Sequence, residues 1–178
     1  MAGQTLKILD ELAPAALHHA VWETCQAPRW YFGNRSVGGD AEALPFWKMK
    51  LGDAAAVTQL WEHARSVCES LAGRRLRVVR QYANGHTYGL GGRPHRDDVR
   101  DGTFTLLYYP MPEWREDWEG ETLFFGPRGN VIAGVVPRPN RAVFFDSRLA
   151  HAGRAPSRTC PALRVTVAYK LETALEGP

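Results

Sequence analysis

The chain has 178 residues, 44% hydrophobic and 23% charged, which fits a globular domain with volume for a core and argues against disorder. Its net charge is +3, and no basic stripe or nucleic-acid-binding module accompanies it. No run reaches the roughly 18 apolar residues of a membrane span, so neither nucleic acid nor a membrane is an expected partner.

The basic side is lopsided, with 18 Arg against 4 Lys. An Arg-lined cleft for an anionic substrate is one reading, because the guanidinium fork suits carboxylate and phosphate. Codon usage in a GC-rich genome is the other, and the scatter of the Arg residues favours it. The opening MAGQTLKILDELAP carries acidic residues and no apolar core, unlike a signal peptide. Cys25, Cys68 and Cys160 are odd in number and lack metal-type spacing. They read as reduced thiols, and the expected location is the cytoplasm.

In chain order, a helical pattern runs from Thr5 to Cys25, interrupted at Pro14, which suits the first position of a new helix. Residues 27–51 are aromatic-rich and irregular, holding Trp30, Tyr31, Asn34, Phe46 and Trp47. A second helix is expected from Asp53, as N-cap, to Leu71, with Val57, Leu60, Trp61, Ala64, Val67, Cys68 and Leu71 on one face. Gly73 ends it.

Beyond Gly73 the texture changes to LRVVRQYA, FTLLYY, ETLFF, VIAGVV, AVFFD and LRVTVAYK, separated by NG, GG, GPRGN and PRPN turns. Such short strands at this spacing predict an antiparallel sandwich or barrel of the jelly-roll type. The expected fold is therefore α+β, mainly β. One domain would span 1–178, with a helical and aromatic-rich support over 1–73 and the β core over 74–172.

Within RPHRDD, His95 and Asp97 are two apart, so on extended backbone their side chains point the same way. His151 follows the strand AVFFD in DSRLAHAG. Two imidazoles and a carboxylate on one face of an octahedral ion make the facial triad of non-haem Fe(II) oxygenases, with positions left for a 2-oxo acid and O2. Arg164 stands in the closing strand. Facing inward it needs a partner, and the distal carboxylate of 2-oxoglutarate suits its fork. Thr166, on the same strand face, adds a hydroxyl.

Further motifs stand in the same order. Tyr82, Gly85 and Tyr88 have a Y-x-x-G-x-x-Y spacing before the HxD, EGETLFF follows at 119–125, and FFD precedes the distal His151. Over about 76–171 the chain resembles the Fe(II)/2-oxoglutarate-dependent oxygenase superfamily, in its prolyl-4-hydroxylase-like branch. The resemblance implies a double-stranded β-helix, cupin-like, with helices on one sheet. It implies Fe(II), 2-oxoglutarate and O2, with ascorbate as a stimulant, and hydroxylation coupled to release of succinate and CO2. It gives Tyr82 a hydrogen bond to 2-oxoglutarate and Arg164 its distal carboxylate. The co-substrate residue is Arg where many prolyl hydroxylases have Lys. Asp97 sets the chain apart from the halogenase branch, which has Gly or Ala there.

Other residues are weaker candidates. Tyr108 and Tyr109 end a strand, and the inward one, assigned to Tyr109, would touch co-substrate or pack the core. Trp114 and Trp118 sit in a long connection that reads as a lid or substrate wall. Trp47 and Tyr88 are candidates for the substrate side, with Arg93, Arg148 and Arg154 for an anionic group. Arg96 is expected to point away from iron. His18, His19, His63 and His86 read as surface or locally bonded residues. The expected substrate is a small metabolite, sugar or peptidyl group, the assembly a monomer or homodimer. The rival reading is a non-catalytic sensor or structural cupin-like domain.

Overall fold

The computed structural model describes residues 5–36 and 43–174. A seven-stranded antiparallel sheet faces a smaller sheet of three strands. In chain order the elements are β1 (Leu6–Leu9), α1 (Ala15–Cys25), β2 (Tyr31–Asn34), β3 (Phe46–Lys50), α2 (Ala55–Ala72), β4 (Leu76–His86) and β5 (Thr103–Tyr109). They continue with β6 (Thr122–Phe125), β7 (Val131–Val135), β8 (Arg141–Asp146), β9 (Ala150–Gly153) and β10 (Arg164–Thr173). The large sheet has the order β1-β8-β5-β10-β4-β3-β2 and the small one β7-β6-β9. This is the double-stranded β-helix.

Side-chain alternation gives the large sheet two different faces. Val165, Val167, Tyr169 and Leu171 of β10 are buried on the outer face, under the helices. Tyr169 donates its hydroxyl to the Val57 carbonyl of α2 at 2.7 Å, and its ring packs against Trp61. The intervening Arg164, Thr166, Ala168 and Lys170 face the small sheet and line the cavity between the two.

Three expectations about the N-terminal part need correction. Thr5–Leu9 is not helical. The apolar side chains of LKIL serve β1, which pairs with β8 in the register Leu6↔Phe145 and Ile8↔Val143, so pairing at the sheet edge overrides the local helical pattern. The segment 27–51 is not irregular throughout, because it supplies β2 and β3. The helix caps shift by one residue, to Pro14 and Ala54. Gly73 does end α2, at φ 65°, where a residue without Cβ is favoured.

Candidate active site

His95 and Asp97 lie on a segment that runs beside β9. His95 and His151 form a β-bridge with both amides bonded, at 3.0 and 2.9 Å, which adds a strand-like edge to the small sheet. The close approach depends on Gly91, where a Cβ would stand 2.8 Å from the Ala155 backbone nitrogen. Asp97 is fixed by its amide, which donates to the Ser147 carbonyl at 3.0 Å.

The three side chains converge, with ligand-type atoms within 4.8 Å of one another. His95 Nε2 is 3.5 Å from Asp97 Oδ1, and His151 Nε2 is 3.5 Å from Oδ2. Both imidazoles are oriented from behind. His95 Nδ1 donates to the Arg93 carbonyl at 2.8 Å, and His151 Nδ1 donates to the Leu149 carbonyl at 3.0 Å. A carbonyl cannot donate, so in each ring Nδ1 carries a proton and Nε2 is the nitrogen turned toward the cluster. Burial pushes the pKa of His151 down to about 4, so that ring is neutral at physiological pH. Burial alone would raise the Asp97 carboxyl. The Lys170 ammonium outweighs it, helped by His95 and His151, and holds the group below the usual carboxylate range. Asp97 Oδ2 accepts from Thr105 Oγ1 at 2.7 Å and from Lys170 Nζ.

Arg164 closes the other end of the cavity. It is 1% exposed, and its guanidinium donates to the Gly120 carbonyl and to Thr122 Oγ1 at 2.8 Å. A third nitrogen lies 3.3 Å from His86 Nδ1, which accepts. All three partners are uncharged. The donor set of the triad fits a divalent transition metal, and a buried guanidinium without a carboxylate at ion-pair distance among the described residues fits a bound carboxylate.

The cavity is about 340 Å³ and is lined by the triad, Arg164, Thr166 and Tyr82, which the sequence had singled out. Tyr109 lies beneath Arg164 instead of on the cavity wall, with its hydroxyl on Thr122 at 2.7 Å and its ring 5.6 Å from the guanidinium carbon. Tyr108 points to the outer face, toward His18 and Asn140.

The substrate candidates scatter. Tyr88, Arg93 and Arg154 line a second surface cleft of about 580 Å³, which shares Gly92 with the first cavity. Trp47 packs on Phe32, because alternation along β3 gives the cavity to Phe46 and Lys48. Arg148 is taken up by Asp146 and Asp101. The lid expectation for Trp114 and Trp118 is corrected: both indoles are buried, stack edge to face at 5.5 Å and belong to the core. Arg96 is among the residues that line the cavity, and its Nε donates to the Arg148 carbonyl at 2.9 Å.

Several cavity residues escaped the sequence reading, Lys48, Arg80 and Lys170 among them, and His86, read as surface or locally bonded, is buried in the cavity wall. Lys170 was within reach of that reading. Arg164, Thr166, Ala168 and Lys170 are successive residues of one strand face, so the alternation that singled out Arg164 continues to Lys170.

The family model of the 2OG-Fe(II) oxygenase superfamily matches residues 79–169, just over half of the chain. No curated protein sequence matches the chain. Similar solved structures include a Pseudomonas putida prolyl-4-hydroxylase, 16% identical with a TM-score of 0.71, covering 97% of this chain and 95% of that one. A Trichoplax adhaerens prolyl hydroxylase in complex with a hypoxia inducible factor peptide fragment is 18% identical, TM-score 0.68, covering 94% and 83%. A viral collagen prolyl hydroxylase from Paramecium Bursaria Chlorella virus-1 is 14% identical, TM-score 0.63, covering 97% and 98%. At these identities the likeness defines the fold. The chain belongs to the 2OG-Fe(II) oxygenase superfamily, with a prolyl-hydroxylase-like architecture. It is an enzyme that uses Fe(II), 2-oxoglutarate and O2. Among the described residues no helix is long and apolar enough to cross a membrane.

Proposed function

We propose that this oxygenase hydroxylates a C–H bond of a small metabolite, sugar or peptidyl substrate, with release of succinate and CO2. Iron is held by His95 Nε2, one oxygen of Asp97 and His151 Nε2, and the distal carboxylate of 2-oxoglutarate by Arg164. The observation that carries this reading is the buried, carboxylate-free guanidinium at one end of the cavity whose other end holds the triad. When bound, the iron and co-substrate supply the oxidising power.

The protein's own groups position and exclude. Thr105 and Lys170 occupy Asp97 Oδ2, which leaves Oδ1 for metal. Thr122 and the Gly120 carbonyl aim the Arg164 fork, and Tyr109 supports it from below. Thr166 and Tyr82 offer hydroxyls along the wall between. Purified protein with Fe(II), ascorbate, O2 and 2-oxoglutarate should release succinate. Asp97→Ala and His151→Ala, each removing a ligand from a three-residue set, should bind Mn(II) well below one equivalent while remaining folded. Equal metal stoichiometry in wild type and variants would reject the assignment.

A further inference from the structure

Besides Arg164, the cavity wall carries the cations Arg35, Lys48, Arg80, Arg96 and Lys170, and three of them gather on one ring. Lys48 Nζ lies 4.2 Å from the centroid of the Tyr82 ring, the Arg80 guanidinium carbon 5.7 Å and Lys170 Nζ 5.9 Å. They come from three adjacent strands. Lys170 and Arg80 are direct cross-strand partners of β10 and β4, and Lys48 stands on β3 opposite Asn84 of β4. Like charges directly opposite one another destabilise a sheet unless something else compensates them.

Little among the described residues does. Lys48 Nζ donates to Asn34 Oδ1 at 3.5 Å, and Lys170 shares Asp97. Arg80 has no carboxylate at ion-pair distance among the described residues, and Asn84 Oδ1, on the same wall, accepts no hydrogen bond from them. The electrostatic consequence shows at Lys48, whose ammonium is held below its ordinary range by burial and then by Arg80 and Lys170. With the site loaded, and with Arg35 and Arg96 of the same wall left out of the count, Fe(II) brings two positive charges, and Arg164, Lys48, Arg80 and Lys170 bring one each. Asp97 contributes one negative charge and 2-oxoglutarate two. Three positive charges remain.

Resting on the active-site reading proposed above, we infer that Lys48, Arg80 and Lys170 form a substrate subsite around Tyr82 for a dianionic group, a phosphate monoester or a pair of carboxylates. Lys170 links the subsite to Asp97, so the anionic group sits at the metal end of the cavity. The Arg residues flanking the triad in sequence, Arg93, Arg148 and Arg154, are not needed for it.

The test is calorimetric titration of Mn(II)-loaded protein at saturating 2-oxoglutarate with phenyl phosphate, phthalate and benzamide, which keep the ring and change the charge. The dianions should bind at least about tenfold tighter than benzamide, and Lys48→Gln or Arg80→Gln should each weaken them about tenfold. The Kd for 2-oxoglutarate, titrated separately, should stay within about twofold in both variants, which also reports that they are folded. Whichever dianion binds tighter identifies the group. Dianion binding no stronger than that of benzamide overturns the inference. So does binding undiminished in both variants, which places the anion on the metal, and so does an equal loss of 2-oxoglutarate affinity, which gives the cluster to the co-substrate. Failure of the wild-type protein to bind 2-oxoglutarate before any anion is added overturns the underlying reading, and this one with it.

Discussion

Arg164 has exchanged water for a carbonyl, a hydroxyl and a ring nitrogen, none of which carries charge. Burying a guanidinium in that way is unfavourable unless a ligand completes it. Arg164→Ala should therefore leave the distal carboxylate of 2-oxoglutarate unpaired, at a cost of roughly 2–5 kcal/mol. The KM for 2-oxoglutarate should rise by at least about thirtyfold, while Mn(II) affinity changes little; an unchanged KM would dismiss the residue. His86 shares this environment. Burial, then the Arg164 charge, push its pKa well below the ordinary 6.5. The unfolded chain takes up that proton at about 6.5, whereas the native state does so only at much lower pH. The unfolded state therefore binds more protons below 6.5, and stability falls as pH falls through that value. Urea midpoints measured from pH 8 to 5.5 should decline with acidity, and His86→Gln should flatten the decline. The sequence offered no hint of this burial. His86 was one histidine among six, and only the pairing of Arg164 with His86 across β4 and β10 shows what it faces.

The connection between β5 and β6 shows how an element can mislead at the sequence level. Two Trp among charges in a long loop read as a lid, since loops carry binding residues out of proportion to their length. The loop instead folds back through a 3-10 turn at Glu116–Trp118, where both indoles are buried and Trp114 Nε1 donates to the Glu119 carbonyl at 2.9 Å. The charged residues Glu113, Arg115, Glu116, Asp117 and Glu119 face solvent. The segment thereby becomes the platform for Arg164, because the next residue, Gly120, presents its carbonyl to the guanidinium. Trp118→Ala should lower stability by about 3–5 kcal/mol, as loss of a core aromatic does. Chemical denaturation checks this, and a loss under about 1 kcal/mol would restore the lid. Gly120 has φ 81°, and a Cβ there would meet Arg164 Cδ at 3.1 Å and Trp114 Cζ2 at 3.2 Å. Gly120→Ala should thus weaken 2-oxoglutarate binding as well as cost roughly 1–2 kcal/mol of backbone strain. Period-2 patterns predicted most of the strands, whereas a turn held together by its own indoles leaves no periodic trace.

At the scale of the whole molecule, the large sheet divides the chemistry from the support. Its inner face carries the polar residues of the site, and its outer face is covered by α1 and α2 through Val57, Leu60, Trp61 and Tyr169. This division was legible where helical periodicity was long and strong, as in α2, and where the triad, Arg164 and the turns fell in a recognisable order. It was not legible at the edges of the large sheet, where β1, β2 and β3 are four or five residues long and owe their conformation to partners far away in sequence. The thiols report on whether the two layers stay together. Cys25 at the end of α1 and Cys68 in α2 are buried under the sheet, and burial, assisted at Cys68 by the Glu69 charge, raises each pKa to about 12. Cys160, half-buried in the loop before β10, is raised by burial as well but lies closer to solvent. The thiolate is the reacting form, so a thiol that is both covered and hard to ionise is silent until its cover leaves. A disulfide reagent at pH 8 should therefore label about one thiol in the native protein, at Cys160, and all three in urea. Adding Mn(II) and 2-oxoglutarate should slow the later labelling of Cys25 and Cys68, because ligands that bind only the folded sheet stabilise it against opening. Labelling of all three at one rate in native buffer would mean that the helices leave the sheet freely and that the support layer is not part of the stable core.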